Sequence, residues 1–147
     1  NVEKAFIQGL ETNWTYHIGK NWTAQGILTS TYGQNRTQNE PVRRIPPIFG
    51  RLVIDFEPTK HWSIGAEWLG ADKQDRLAKG DTEDNRIPQG GTPGWQVLNL
   101  HASYAWRGFS AQLSGNNLFN ADYRTHGSGI NGMGRSATLT LMYEIGK

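Results

Sequence analysis

The sequence predicts an all-β chain, an antiparallel segment of a transmembrane β-barrel, and three observations carry that prediction. Seven windows alternate apolar and polar residues with a period of two, and no window of similar length carries a helical stripe of period 3.6. The connections between the windows run short, long, short, long, short, long, as in a barrel with tight turns on one side of a membrane and large loops on the other. Tyr16, Trp22, Trp62, Tyr104, Trp106, Phe109 and Tyr143 sit beside the short turns. Rings with one apolar and one hydratable end belong at a membrane–water boundary.

The first window, residues 3–18, puts Leu10, Trp14, Tyr16 and Ile18 on one face, and Gly19-Lys20-Asn21 turns the chain. The second, 22–32, sets Trp22, Ala24, Gly26, Leu28 and Tyr32 against Thr23, Gln25, Thr29 and Thr31, and a polar loop covers 33–44. In the third, 48–57, Leu52, Ile54 and Phe56 oppose Arg51, Asp55 and Glu57, before a turn at Pro58-Thr59-Lys60. The fourth, 61–70, aligns Trp62, Ile64, Ala66 and Trp68. Residues 71–94 are rich in Asp, Lys, Arg, Gly and Pro and read as a long loop without structure of its own. The fifth window, 95–106, alternates Leu98, Leu100, Ala102, Tyr104 and Trp106 with Asn99, His101 and Ser103, and Arg107-Gly108 turns it. The sixth, 109–118, places Phe109, Ala111 and Leu113 opposite Ser110, Gln112 and Ser114, and a Gly- and Asn-rich loop spans 119–134. The last, 135–145, has the cleanest alternation: Ala137, Leu139, Leu141, Tyr143 and Ile145 against Ser136, Thr138, Thr140 and Glu144.

Composition agrees with a sheet that has one apolar face. Only 36% of residues are hydrophobic, yet there are 6 Trp, 5 Tyr, 5 Phe and 18 Gly, a poor supply for a packed globule. A net charge of +2 with no cationic cluster beyond Arg43-Arg44 gives nucleic acid nothing to bind. Cysteine is absent, which removes disulfides and Cys-ligated zinc. No apolar run approaches the roughly 20 residues of a spanning helix, but barrel strands need only about 9–11 residues and escape that test. A sheet in hydrocarbon must close on itself, and single-chain bacterial barrels do so with an even number of strands. Seven strands therefore need neighbours beyond this segment, or an eighth strand near Ile87. The opening Asn1-Val2-Glu3 reads as a position inside something longer.

Short motifs then accumulate in order. Ala5-Phe6-Ile7-Gln8-Gly9-Leu10-Glu11, Ile45-Pro46-Pro47-Ile48-Phe49-Gly50, Thr92-Pro93-Gly94-Trp95 with Leu98-Asn99-Leu100, and Asn116-Asn117-Leu118-Phe119-Asn120-Ala121-Asp122-Tyr123 followed by Gly134-Arg135 each have a counterpart in one family. Along essentially its whole length the chain resembles the C-terminal β-barrel portion of a TonB-dependent outer-membrane receptor. The resemblance implies a barrel of about 22 strands in the Gram-negative outer membrane. Residues 1–147 would be a partial barrel domain supplying about the last seven strands, with the plug domain and earlier strands elsewhere. It also implies partners: outer-membrane lipid, the remaining strands and plug, TonB, and a small-molecule or metal-chelate ligand. One departure is the ending Tyr143-Glu144-Ile145-Gly146-Lys147, where the family usually ends on an aromatic residue.

Candidate ligand contacts fall in the last long loop: Tyr123, Arg124, His126 and Asn131, with Met133 nearby. Imidazole and thioether suit haem or copper, although a lone loop histidine is ordinarily solvated or bonded locally. Asp72, Asp75, Asp81, Glu83 and Asp84 could hold Ca²⁺, but interleaved with Lys73, Arg76, Lys79 and Arg86 they read as a solvated charged loop. Arg51, Asp55, Glu57 and Glu67 should face the barrel interior as ion pairs with neighbouring strands or a plug. Gly127, Gly129 and Gly132 match a dinucleotide fingerprint but precede a strand instead of opening a helix, and three Asn-x-Thr triplets read as strand and turn residues. His17, His61, His101 and His126 are scattered, with no nucleophile and base in a supporting context, so no enzyme and no cofactor are expected. The expected function is uptake of a scarce nutrient, with an iron chelate (siderophore) as first choice; haem, cobalamin, copper and glycans are not separable by sequence. The rival readings are a soluble carbohydrate-binding β-sandwich and a small passive outer-membrane barrel.

Overall fold

The computed structural model describes residues 4–145. Its strands are β1 (Ala5–Ile18), β2 (Trp22–Asn35), β3 (Glu40–Pro41), β4 (Phe49–Thr59), β5 (Trp62–Ala71), β6 (Trp95–Trp106), β7 (Phe109–Asn116) and β8 (Ser136–Tyr143), with one helical turn, α1 (Lys79–Thr82). Seven long strands form an antiparallel meander in the order β1-β2-β4-β5-β6-β7-β8, and β3 pairs only with the end of β2. The sheet is open. The outer edges of β1 and β8 pair with no other described strand.

Expected and observed limits differ in ways the backbone explains. Glu3, expected in the first strand, lies outside the described residues, as do Gly146 and Lys147. β2 runs on to Asn35 because its far end pairs with both β1 and β3, so the expected loop 33–44 begins as a ladder. β7 stops at Asn116, short of Leu118, because Asn117 takes a left-handed φ of 47° that a strand cannot continue. No strand forms near Ile87; its side chain is buried instead among the loops.

Cross-strand rows show why the alternation matters. One row runs Ile18, Trp22, Phe56, Ile64, Ala102, Leu113, Leu139, and the next runs Tyr16, Ala24, Ile54, Ala66, Leu100, Gly115, Ala137. Partners in register point the same way, so these apolar rows make one continuous face. It is uncovered: Leu113 and Leu139 are 54% and 62% exposed. In water, an apolar patch of this extent would be a liability; in hydrocarbon it is the matching surface. The Trp14 indole lies over Gly26, where an added Cβ would come within 2.2 Å of the ring, so a bulky ring and a bare backbone fill one position together. The aromatic band beside the short turns is also present, with Trp22 stacked on Phe56 at 4.3 Å and Trp62 against Tyr104 at 4.9 Å.

The opposite face mixes polar groups with Ile27, Val53, Leu69 and Val97, and its polar groups are internally bonded. Arg51 on β4 pairs with Glu67 on β5, and Asn99 Nδ2 on β6 donates to Glu67 Oε2 at 2.7 Å. Asn99 Oδ1 in turn accepts the Asn117 backbone N–H at 2.8 Å. One step along the strands, His101 Nε2 lies 3.0 Å from Asp55 Oδ1, in a space left open by Gly65. Arg51, Asp55 and Glu67 thus meet the expectation of cross-strand pairing; Glu57, near the turn, is exposed and has no ion pair among the described residues.

Candidate functional site

Three long loops, residues 36–48, 72–94 and 117–135, gather at one end of the sheet. Residues 72–94 are not the solvated loop expected from their charge. α1 begins after Ala78, Gln74 forms a bridge with Thr92, and Ala78, Ile87 and Ile45 from the neighbouring loop are buried together with Gln74 and Thr92. The two loops are fastened by carboxylates. Asp81, only 1% exposed, accepts the backbone N–H groups of Arg44 and Ala78 at 3.2 Å and lies 3.6 Å from Arg43 Nε. Asp84 meets Arg43, Arg44 and Arg86 at 3.3, 2.9 and 2.7 Å. Buried carboxylates need this many donors, because an unpaired buried charge is far costlier than a paired one. Asp75, by contrast, stays at the surface with Lys73, whose ammonium holds its carboxyl below the ordinary range by hydrogen bonding. Arg76 reaches across to Gly33 O and Gln34 Oε1 and lies 3.9 Å over the Tyr32 ring.

Asn117, 2% exposed, organises the third loop. Its Nδ2 donates to Ala121 O at 2.8 Å and Met133 O at 3.0 Å, and its Oδ1 accepts the Ala121 N–H at 2.8 Å, tying both ends of the loop to one side chain. Tyr123 is then laid against Trp95, ring centroids 4.6 Å apart, and over Gly132, where an added Cβ would strike the phenol ring at 2.1 Å. Arg124 Nε donates to Asn131 Oδ1 at 2.7 Å, and Asn131 Nδ2 to Asp122 Oδ1 at 3.0 Å.

The four sequence-selected contacts do not form one site. Tyr123, Arg124 and Asn131 line a cavity of about 220 Å³ with Asp122, Pro93 and Trp95. His126 lines another, of about 290 Å³, with Phe49, Pro46, Pro47, Thr29 and Trp95. Met133 does not join His126; its sulfur accepts a contact from Ser136 Oγ at 3.4 Å. His126 Nδ1 shares a hydrogen bond of 2.9 Å with the Thr92 hydroxyl, while Nε2 is buried without a partner. Burial pushes its pKa below the ordinary histidine value, against the opposing pull of Asp81 and Asp84. The imidazole is therefore neutral near pH 7.

Trp95 is the residue that sequence reasoning missed. It is 9% exposed, borders both cavities, and stands between Phe49 and Tyr123. The signal was present, since Trp95, Pro46 and Pro47 all lie in motifs that carried the family resemblance. The arrangement offers aromatic walls, a neutral imidazole and a bonded Arg–Asn–Asp group, which suits ring-bearing or amphipathic ligands better than a bare ion. No group of three or more His, Cys, Asp or Glu side chains among the described residues could hold a metal ion.

A family model described as TonB dependent receptor-like, beta-barrel, matches residues 1–118. The chain belongs to that family. Membership places this TonB-dependent receptor segment in the outer membrane, and the uncovered apolar rows agree. Its fold is similar to that of a solved structure, the copper transporter OprC, with a TM-score of 0.79 and 23% identity over 95% of this chain. The chain spans 23% of that protein's length, and a likeness at such identity concerns the fold. No curated protein matches by sequence.

Proposed function

We propose that this chain is part of the barrel wall of a receptor that imports a scarce nutrient across the outer membrane, with energy supplied through TonB. The observation that carries the reading is the unbroken apolar face of seven strands, backed by a bonded polar face and bounded by two open edges. A carbohydrate-binding sandwich would need a second sheet over the apolar rows, and no second sheet occurs among the described residues. A small passive barrel would need β1 to pair with β8, whereas the meander leaves both edges open. Further strands and a plug domain complete the receptor in this reading.

The cargo we infer is an iron chelate, met first by the long loops. Organic chelators present rings and amides, and the walls around Trp95, Tyr123 and Phe49 match that chemistry better than a naked cation. The test is uptake of radiolabelled iron chelate by cells with and without the full-length receptor, in the presence and absence of TonB. Receptor- and TonB-dependent iron uptake supports the reading. Uptake of radiolabelled copper alone would reassign the cargo, and uptake independent of TonB would overturn active transport.

A further inference from the structure

We propose that the short-turn rim is a binding site for anionic phospholipid headgroups of the inner leaflet, with Lys20, Lys60 and Arg107 as the phosphate ligands. This rests on the reading that the sheet crosses a bilayer with its short turns on the periplasmic side.

Each of the three short turns carries one cation within two residues of a tryptophan. Lys20-Asn21-Trp22-Thr23 and Lys60-His61-Trp62-Ser63 repeat the same order, and Trp106-Arg107-Gly108-Phe109 reverses it. The structure places all three tryptophans at the turn-proximal ends of their strands, each about half exposed on the lipid-facing side. Each has an aromatic neighbour: Phe56 for Trp22, Tyr104 for Trp62 and, opposite Trp106 in register, Phe109. The Arg107 guanidinium lies 4.6 Å over the Trp106 ring, which holds it at the boundary.

At the loop end, Arg43, Arg44, Lys73 and Arg86 are committed to carboxylates of the same chain, Arg76 and Arg124 are bonded to neutral oxygens, and Arg36 lies over the Phe6 ring. At the turn end, Lys20, Lys60 and Arg107 have no carboxylate partner among the described residues, although Glu57 and Glu144 lie at that end. Cations beside interfacial rings can reach the phosphate layer while their stems and the neighbouring rings stay against the acyl boundary. Unpaired cations supply the charge complement of an anionic headgroup, with each Lys or Arg near such a surface contributing roughly a fivefold preference.

The test uses the full-length receptor, reconstituted into vesicles of phosphatidylcholine with one tenth phosphatidylglycerol. Flotation with the vesicles reads bilayer insertion, and native mass spectrometry of the released protein reads which lipid stays bound. Phosphatidylglycerol retained well above its share, falling at least tenfold in the triple variant K20Q/K60Q/R107Q while flotation is unchanged, is the expected result. Flotation with lipid retained in proportion to the mixture, or equal retention by the variant, overturns the headgroup site and leaves the bilayer reading standing. Failure of the parent receptor to float with the vesicles overturns the bilayer reading and the site with it.

Discussion

Replacing Asn117 by Ala should release the last long loop while leaving the sheet in place. The side chain satisfies three loop backbone groups, the Ala121 N–H, the Ala121 C=O and the Met133 C=O. Each neutral bond contributes roughly 1 kcal/mol net, and a buried group left without a partner costs about 1–3 kcal/mol. Taking the low end because loop carbonyls can recover water, the loss is about 3 kcal/mol. Alanine at a φ of 47° adds about 1–2 kcal/mol of backbone strain. Glycine at the same position removes the bonds but not the backbone freedom, so Asn117→Gly should show roughly the 3 kcal/mol alone. At 1.4 kcal/mol per factor of ten, local amide exchange over residues 120–134 should quicken about 100-fold in Asn117→Gly and more in Asn117→Ala. Hydrogen exchange read by mass spectrometry on the full-length receptor measures this, with strands β6 and β7 as internal controls. Exchange within threefold of the parent in both variants would refute the argument that one side chain fastens the loop.

Further outcomes follow from other features. Leu139→Arg, midway along β8 on the lipid-facing side, should cost about 2–4 kcal/mol of barrel stability, whereas Thr138→Arg on the opposite face costs much less; denaturant titration of the receptor in lipid compares them, and equal costs would contradict the assignment of faces. Asp81→Asn should loosen the joint between loops 36–48 and 72–94 by roughly 2–3 kcal/mol, chiefly through weaker acceptance of the Arg44 and Ala78 N–H groups, since the half-exposed Arg43 adds little. Limited trypsin digestion should then cut faster at Lys79 and Arg86. The folded-state pKa of His126 is depressed, so the unfolded chain binds the proton first. Its stabilising contribution is complete above about pH 6.5, declines as pH falls below that value, and levels off beneath the folded-state pKa. Loop exchange measured between pH 7.5 and 5 should show this decline, and His126→Gln should remove it; an unchanged slope in the variant would place the effect elsewhere.

Much of the wall was legible because the lipid imposes a simple rule on it. Every second residue from Ala137 to Tyr143 must suit hydrocarbon, and no tertiary partner can override that choice. The loops obey no such periodic rule. Asp81 and Asp84 looked like solvent-facing charge because their donors, the N–H of Arg44 and the guanidinium groups of Arg43 and Arg44, come from about 40 residues earlier in the chain. No local pattern encodes that meeting. The candidate site was half legible for a related reason. Tyr123, Arg124 and Asn131 are near in sequence and near in space, but Trp95 separates them from His126, and its place at the head of β6 is visible only once the three loops are assembled.

The line of bonds from Arg51 through Glu67 and Asn99 to Asn117 also settles a matter the oily side leaves open. If one strand slid two places past its neighbour, inward and outward residues would keep their directions, and lipid would scarcely notice which leucine met which isoleucine. The polar side would notice at once, because the guanidinium, the carboxylate and the two amides could no longer find one another. Alignment in this wall is therefore kept from within, like a zip whose teeth are on the lining. Swapping Arg51, Glu67 and Asn99 for other hydrophilic residues would preserve every feature of the alternating pattern and still let the sheet settle out of step.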